Sequence, residues 1–375
     1  MTSNGSQLRW RAVRRYLNSS RAALTRTAAG LAEEWPRTGP SLITPDGWVA
    51  ARPVPLEEVR LSWDAAPAAP RVTGAEPQAF LVRPLQDDGQ RYPSYSAALG
   101  AVDPPGIFDN RPCYRLLSVS GDPAALSFGP ADYFDGIDVA EAVAHELAAV
   151  WMASGDLGGR KDLSRTDLPL RTLAGEPGDL AGRTVIPAVC TLTVRHDTDA
   201  ESAADAASFL LHWRDPKRVA SGGGLYQVAP VGVFQPAGSV GAADPDFDLW
   251  RCISRELSEE LLGTPEHHGL HYAEWPFGQR LEEAREKGRC KAYYLGAGVD
   301  PLTLVVDLMT VVVFEAATYD EIFADLVSGN DEGTLTGGAP FTEETVTRYA
   351  RDEPMQPAGA ALLELAWRHR EMLLG

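Results

Sequence analysis

Three glutamates and one arginine crowd into Arg255-Glu256-Leu257-Ser258-Glu259-Glu260. On a helix, Glu256 and Glu260 stand one turn apart with Glu259 beside both, while Trp250, Ile253, Leu257 and Leu261 follow the opposite stripe at spacings of three and four. Like charges this close repel one another. The pattern therefore reads either as a solvated charged face or as a site where a bound cation relieves the repulsion. Carboxylate oxygens are hard ligands that suit Mg2+ or Mn2+. Arg255, one turn before Glu259, can orient that glutamate or partly neutralise the group.

The elements that must hold this segment are clearest around it. Thr184–Val194, Ser208–Trp213 and Leu225–Phe234 are rich in branched and aromatic residues and predict strands. Leu281–Gly288 predicts a charged helix, Ala292–Leu295 and Leu302–Phe314 further strands, and Pro357–Leu374 a closing helix with an apolar face. The glycines and proline of Leu173–Arg183 predict a boundary, so residues 1–180 and 181–375 are expected to form two domains. In the first of these the pattern is mixed, with short strands expected near Val59–Trp63, Ala79–Val82 and Tyr114–Val119 and a helix over Val139–Met152. Its opening segment, Leu8–Leu31, reads as an amphipathic basic helix carrying Arg9, Arg11, Arg14, Arg15, Arg21 and Arg26. Such a helix either docks DNA, an anionic lipid or a partner, or packs on an acidic body that pairs its arginines. The breaker cluster at Trp35–Pro40 speaks against a helix-turn-helix.

Composition narrows the function classes. A chain of 375 residues is long enough for two domains, and its 44% hydrophobic content is ordinary for a globular protein. The net charge of -18 opposes a general nucleic-acid surface, which needs concentrated Lys and Arg. The most apolar run, Val299–Phe314, is interrupted by Asp300 and Asp307 and reads as a buried strand, so no membrane span is expected. Arginines throughout Leu8–Arg26 leave no apolar signal core, and a cytoplasmic protein is expected. Four scattered cysteines signal neither a zinc knuckle nor a disulfide framework.

Several smaller constellations compete with the glutamate cluster. His145-Glu146 lacks the second histidine of a metalloprotease motif, positions 148 and 149 being alanines, and reads as structural. Ser221-Gly222-Gly223-Gly224 lacks the Lys and Ser/Thr of a P-loop and reads as a hairpin or loop. In Glu266-His267-His268-Gly269-Leu270-His271, neighbouring histidines on an extended chain point apart, which disfavours a shared metal. Glu315 and the acidic Asn330-Asp331-Glu332-Gly333 are candidates for an added ligand or base, with a turn or cap as the simpler role.

The strand Phe209-Leu210-Leu211-His212-Trp213-Arg214, a strand running into Pro236-Ala237-Gly238, and R-E-L-S-E-E-L-L-G on a helix together resemble the Nudix hydrolase family. That family's box reads G-x5-E-x7-R-E-U-x-E-E-x-G-U, with U aliphatic, and the resemblance covers about residues 184–335. It implies an α+β chain whose C-terminal part is an α/β/α sandwich with a mixed sheet, preceded by a mixed α/β domain. It further implies Mg2+ (or Mn2+) held by Glu256, Glu259 and Glu260, with Arg255 orienting them, and Gly238 and Arg214 on the substrate side. The implied reaction is hydrolysis of a pyrophosphate bond in a nucleoside diphosphate derivative, by a homodimer. Two departures stand out. The upstream glutamate falls on Phe247, leaving Asp244, Asp246 or Asp248 as substitutes, and the closing glycine comes one place late at Gly263, with Leu262 in its slot. Phe247 favours a second reading, a catalytically degenerate domain that senses a ligand within a bacterial transcriptional regulator.

Overall fold

A computed structural model describes the chain except residues 1–2, 107, 154–162, 203–205, 215–223, 237–240, 242–244, 266–273, 328 and 330–332. In chain order its strands are β1 (Arg37–Thr38), β2 (Leu42–Ile43), β3 (Val49–Pro55), β4 (Arg60–Trp63), β5 (Pro112–Gly121), β6 (Ala124–Asp132), β7 (Ala188–His196), β8 (Ala207–Arg214), β9 (Tyr226–Val228), β10 (Val231–Val233), β11 (Cys290–Val299), β12 (Val306–Glu315) and β13 (Gly333–Pro340). β4, β6 and β5 form a small sheet of their own. The other strands join in one ten-stranded sheet of order β1-β2-β11-β12-β7-β8-β13, with β10 beside β7, β3 beside β11 and β9 beside β8. The β12–β7 pair is parallel among antiparallel neighbours, so the sheet is mixed and the fold is α+β.

Alternation along the central strands sends side chains to two apolar layers. Val189, Leu308 and Val312 pack with Ile253, Leu257 and Leu281, from the helices Leu249–Glu256 and Pro276–Glu286 and the turn between them. Cys190, Leu192, Met309 and Val311 pack with Ala361, Leu362 and Leu365 of the helix Pro357–Arg368. Helices therefore cover both faces. β2 and β3 bond to β11 through Val299↔Ile43, Tyr293↔Pro55 and Tyr294↔Val54, so the expected boundary at residue 180 is crossed by a shared sheet.

Breaks in several elements differ from the sequence expectations. Ala79–Val82 belongs to a 3-10 segment, Pro77–Val82, instead of a strand. The opening helix divides into Ser3–Ser19 and Arg21–Gly30. Leu225–Phe234 divides into β9 and β10, because Pro230 has no N–H to give a continuous ladder. The helix expected over Val139–Met152 starts earlier, at Tyr133, so Asp132–Gly136 leads directly into it and supplies its first turn. All four cysteines are free and buried. Among the described residues no helix is long and apolar enough to cross a membrane.

Candidate functional site

The helix that carries the glutamates begins at Asp248, whose carboxylate accepts the Arg251 amide at 2.9 Å in the usual N-cap bond. Trp250, Ile253, Leu257 and Leu261 are buried, as the stripe predicts. After Glu256 the helix widens into a π turn over Leu257–Leu261. A π turn closes around one residue more than an α turn, which accommodates the one-place delay of the closing glycine. Gly263 ends the segment with φ at +64°, its amide bonded to the Glu259 carbonyl at 3.1 Å. Ser258 and Thr264 clasp the two sides of the turn through their hydroxyls at 2.7 Å.

Strand β10 is the platform under the carboxylates. Glu260, which is buried, accepts the Val231 amide at 3.1 Å. Glu256 lies over Gly232, where a Cβ would stand 1.9 Å from its carboxyl carbon and 2.0 and 2.3 Å from its oxygens. Only glycine leaves that carboxylate its place.

Arg255 is fixed from two sides, its Nη2 bonding the Gln235 carbonyl at 2.7 Å and its Nη1 paired with Asp246 at 2.9 Å. Burial opposes the guanidinium charge, but Cys252 and the carboxylates of Asp246, Glu256 and Glu259 more than restore it and raise its pKa. Of the acids around the lost upstream position, Asp246 thus meets Arg255, Asp248 caps the helix, and Asp244 lies outside the described residues. Phe247 itself is a packing residue. Its ring meets Trp63, Tyr114, Phe128 and Phe234 at centroid distances of 5.5, 5.2, 5.5 and 6.0 Å, joining the small sheet to the end of β10. Putting the acid back, as Phe247→Glu, is expected to destabilise the protein by at least about 2 kcal/mol in urea unfolding, because a carboxylate would enter an aromatic cluster. An unchanged midpoint would contradict this packing role.

Glu256, Glu259 and Glu260 line a cavity of about 1380 Å³ together with Arg214, which arrives at the end of β8, and with Arg255. Gly232 and Gln227 belong to the same lining, as do Asp300 and Asp307. Part of the wall comes from the first half of the chain, through Tyr133, Ile137 and Glu141 of the helix Tyr133–Ala153. Five expected residues, Arg214, Arg255, Glu256, Glu259 and Glu260, are therefore brought together. Gly238 lies outside the described residues. Among the described residues no three His, Cys, Asp or Glu side chains are placed to hold a metal ion together.

The competing constellations fall elsewhere. His145 is buried against Tyr95, its Nδ1 3.2 Å from the phenol oxygen, and burial, followed by Arg14, lowers its pKa to about 3. Glu146 accepts the Leu170 and Arg171 amides at 2.7 and 2.9 Å, so it holds the start of a short helix. Glu315 is exposed at the end of β12 and does not line the cavity. The histidine segment 266–271, residues 221–223 of the triple glycine and residues 330–332 lie outside the described residues.

Sequence reasoning passed over Gly232 and Asp307 as site residues. For Asp307 a signal existed, an acid interrupting an otherwise apolar strand. No family model and no curated protein matches the chain. Among solved structures it is similar to a NUDIX hydrolase from Alicyclobacillus acidocaldarius, at 16% identity and a TM-score of 0.28, covering 51% of this chain and 95% of that one.

Proposed function

We propose that this chain hydrolyses the pyrophosphate bond of a nucleoside diphosphate derivative in a Nudix-like, cation-assisted reaction. The observation that carries the reading is that the whole Arg255-Glu256…Glu259-Glu260 constellation faces one large cavity, on a turn anchored to β10. The cavity exceeds the ~300–1,000 Å³ of common small-molecule sites, leaving space for a diphosphate and its nucleoside.

The donor set fits a cation that arrives with its ligand. Mg2+ keeps several waters and is commonly held by one or two carboxylates plus substrate phosphates. Glutamates that share a cavity without closing a cage match that habit. When bound, the cation neutralises charge on the diphosphate and in the transition state. The protein's own groups do the rest. Asp246 and the Gln235 carbonyl hold Arg255, which steadies the helix end that presents Glu256 and Glu259. The Val231 amide fixes Glu260. One of the three glutamates takes the proton of the attacking water, and Arg214, on the lining of the same cavity, supplies positive charge for the phosphates.

The test is turnover of a panel of nucleoside diphosphate derivatives with Mg2+ or Mn2+, expected to stop when the cation is chelated. Gly232→Ala, which moves the Glu256 carboxylate without altering any acid, is expected to lower kcat on the order of 10²-fold, the scale set by misplacement of about 1 Å. Undiminished turnover in that variant would remove Glu256 from the site. Phe247, a packing residue where the box has an acid, favours the ligand-sensing reading. Tight nucleotide binding without turnover would establish that second reading.

A further inference from the structure

Asp307 is an acid to which the fold gives a place in the cavity and, among the described residues, no partner. It stands near the start of β12, in register with Ala188 of β7 and Gly298 of β11, between the apolar Val306 and Leu308. It lies deep in the protein, yet part of its surface is open to the cavity that Glu256, Glu259 and Glu260 also line. Among the described residues, no hydrogen-bond donor and no cation meets its carboxyl. Its charged neighbour is another acid, Asp300, whose own Oδ1 already accepts the Leu302 and Thr303 amides at 2.9 and 2.8 Å and the Thr303 hydroxyl at 3.0 Å. Burial, and after it Asp300, raises the Asp307 pKa well above the ordinary carboxylate range.

Other enclosed acids among the described residues each have at least one donor or cation as partner. Glu141 has two arginines, Glu146 two amides, Glu260 the Val231 amide and Asp246 the Arg255 guanidinium. A buried carboxyl with no partner lowers stability, and a valine would suit this strand position better. Packing therefore does not explain Asp307. A side chain that breaks the local rule inside a binding cavity marks a functional contact.

We propose that Asp307 touches the ligand of this cavity directly, as a neutral carboxyl donating a hydrogen bond to an oxygen of the bound diphosphate derivative. This rests on reading the cavity as a diphosphate site. An ionised carboxylate there would repel such a ligand, whereas a neutral carboxyl offers it a donor.

The experiment is calorimetric titration of the full chain with α,β-methylene-ADP and Mg2+, beside thermal melting without ligand. Asp307→Ala is expected to weaken binding about tenfold or more, while Asp307→Asn, whose amide still donates, stays within about threefold of the parent. Asp307→Asn is also expected to melt about 2 °C or more above the parent. The sign follows from linkage. A carboxyl whose pKa is raised on folding loses stability as pH rises from the ordinary carboxylate range toward its folded value, so the gap between Asn and Asp widens with pH. Unchanged affinity in Asp307→Ala would overturn the contact and leave the diphosphate reading standing. Equal weakening by Asn and Ala would overturn the donor role. A lower melting temperature for Asp307→Asn would make the acid a structural group, and absence of binding by the parent would overturn the contact and the diphosphate reading together.

Discussion

Glu260→Gln is expected to lower turnover of a nucleoside diphosphate derivative on the order of 10²- to 10³-fold while the protein keeps its fold. The amide oxygen of glutamine can still accept the Val231 amide that Glu260 accepts at 3.1 Å, so the anchor to β10 survives. What disappears is a negative charge on a side chain only 7% exposed, beside the cavity. Water cannot replace it well in so enclosed a position, and a charge that neutralises a cation or takes a proton in the transition state contributes several kcal/mol. At about 1.4 kcal/mol per decade this gives the stated range. Glu259→Gln, on the same wide turn, is expected to fall in that range too, and the double variant to lose less than the product if both act on one cation. Steady-state kinetics with circular dichroism and a melting curve decide the matter. Full turnover in both single variants would remove the π turn from the chemistry.

The largest expected effect on stability belongs to Glu141. Its carboxylate is enclosed by two guanidiniums, Arg14 bonded to Oε2 and Arg21 donating from Nη2 to the two oxygens at 2.8 and 2.9 Å. All three side chains are at most 9% exposed. Glu141→Leu leaves two buried cations without their counter-charge and is expected to destabilise by about 3–5 kcal/mol. The attraction in the pair is not itself the source of that number. Arg14→Met and Arg21→Met added to Glu141→Leu are expected to recover most of the loss, because removing every charge also removes the desolvation penalty. Urea unfolding of the single and triple variants measures this directly. Equal losses in the two would show that packing, and not the uncompensated charge, sets the cost.

The same pair predicts acid sensitivity. Burial pushes the Glu141 pKa up, but Arg21 and then Arg14 outweigh it and bring it down to about 2. A carboxyl depressed on folding contributes stability above its unfolded value, near 4.5, and loses it as pH falls toward 2. His145, neutral in its enclosed site with a pKa near 3, adds to the loss below pH 6.5, where the unfolded chain gains a proton that the folded one refuses.

Much of the candidate site was legible because it is local. A helical period of three to four residues is written in neighbouring positions, so Trp250, Ile253, Leu257 and Leu261 announced the buried stripe and Glu256, Glu259 and Glu260 the face beside it. β-branched runs likewise announced β7, β8 and β12. Element breaks were less legible. Pro230 interrupted an apparently continuous strand, and the π turn was visible only as a glycine one place late.

Contacts between distant segments lay beyond the sequence. The opening helices' arginines read either as a docking surface or as partners of an acidic body, and only the folded chain decides for Arg14 and Arg21, which are core residues because Glu141 returns from 127 and 120 positions away to pair with them. Phe247 read as a missing acid, yet it completes an aromatic cluster drawn from Trp63, Tyr114, Phe128 and Phe234. The sequence by itself determined which carboxylates cluster on one short helical segment, since charge and helical spacing are properties of neighbours. Only the tertiary structure decided that Asp246 holds Arg255, that Gly232 makes room for Glu256, and that Asp307 faces the same cavity with no partner among the described residues. Burial and cross-strand register arise when distant segments meet, and no local pattern encodes which of them will.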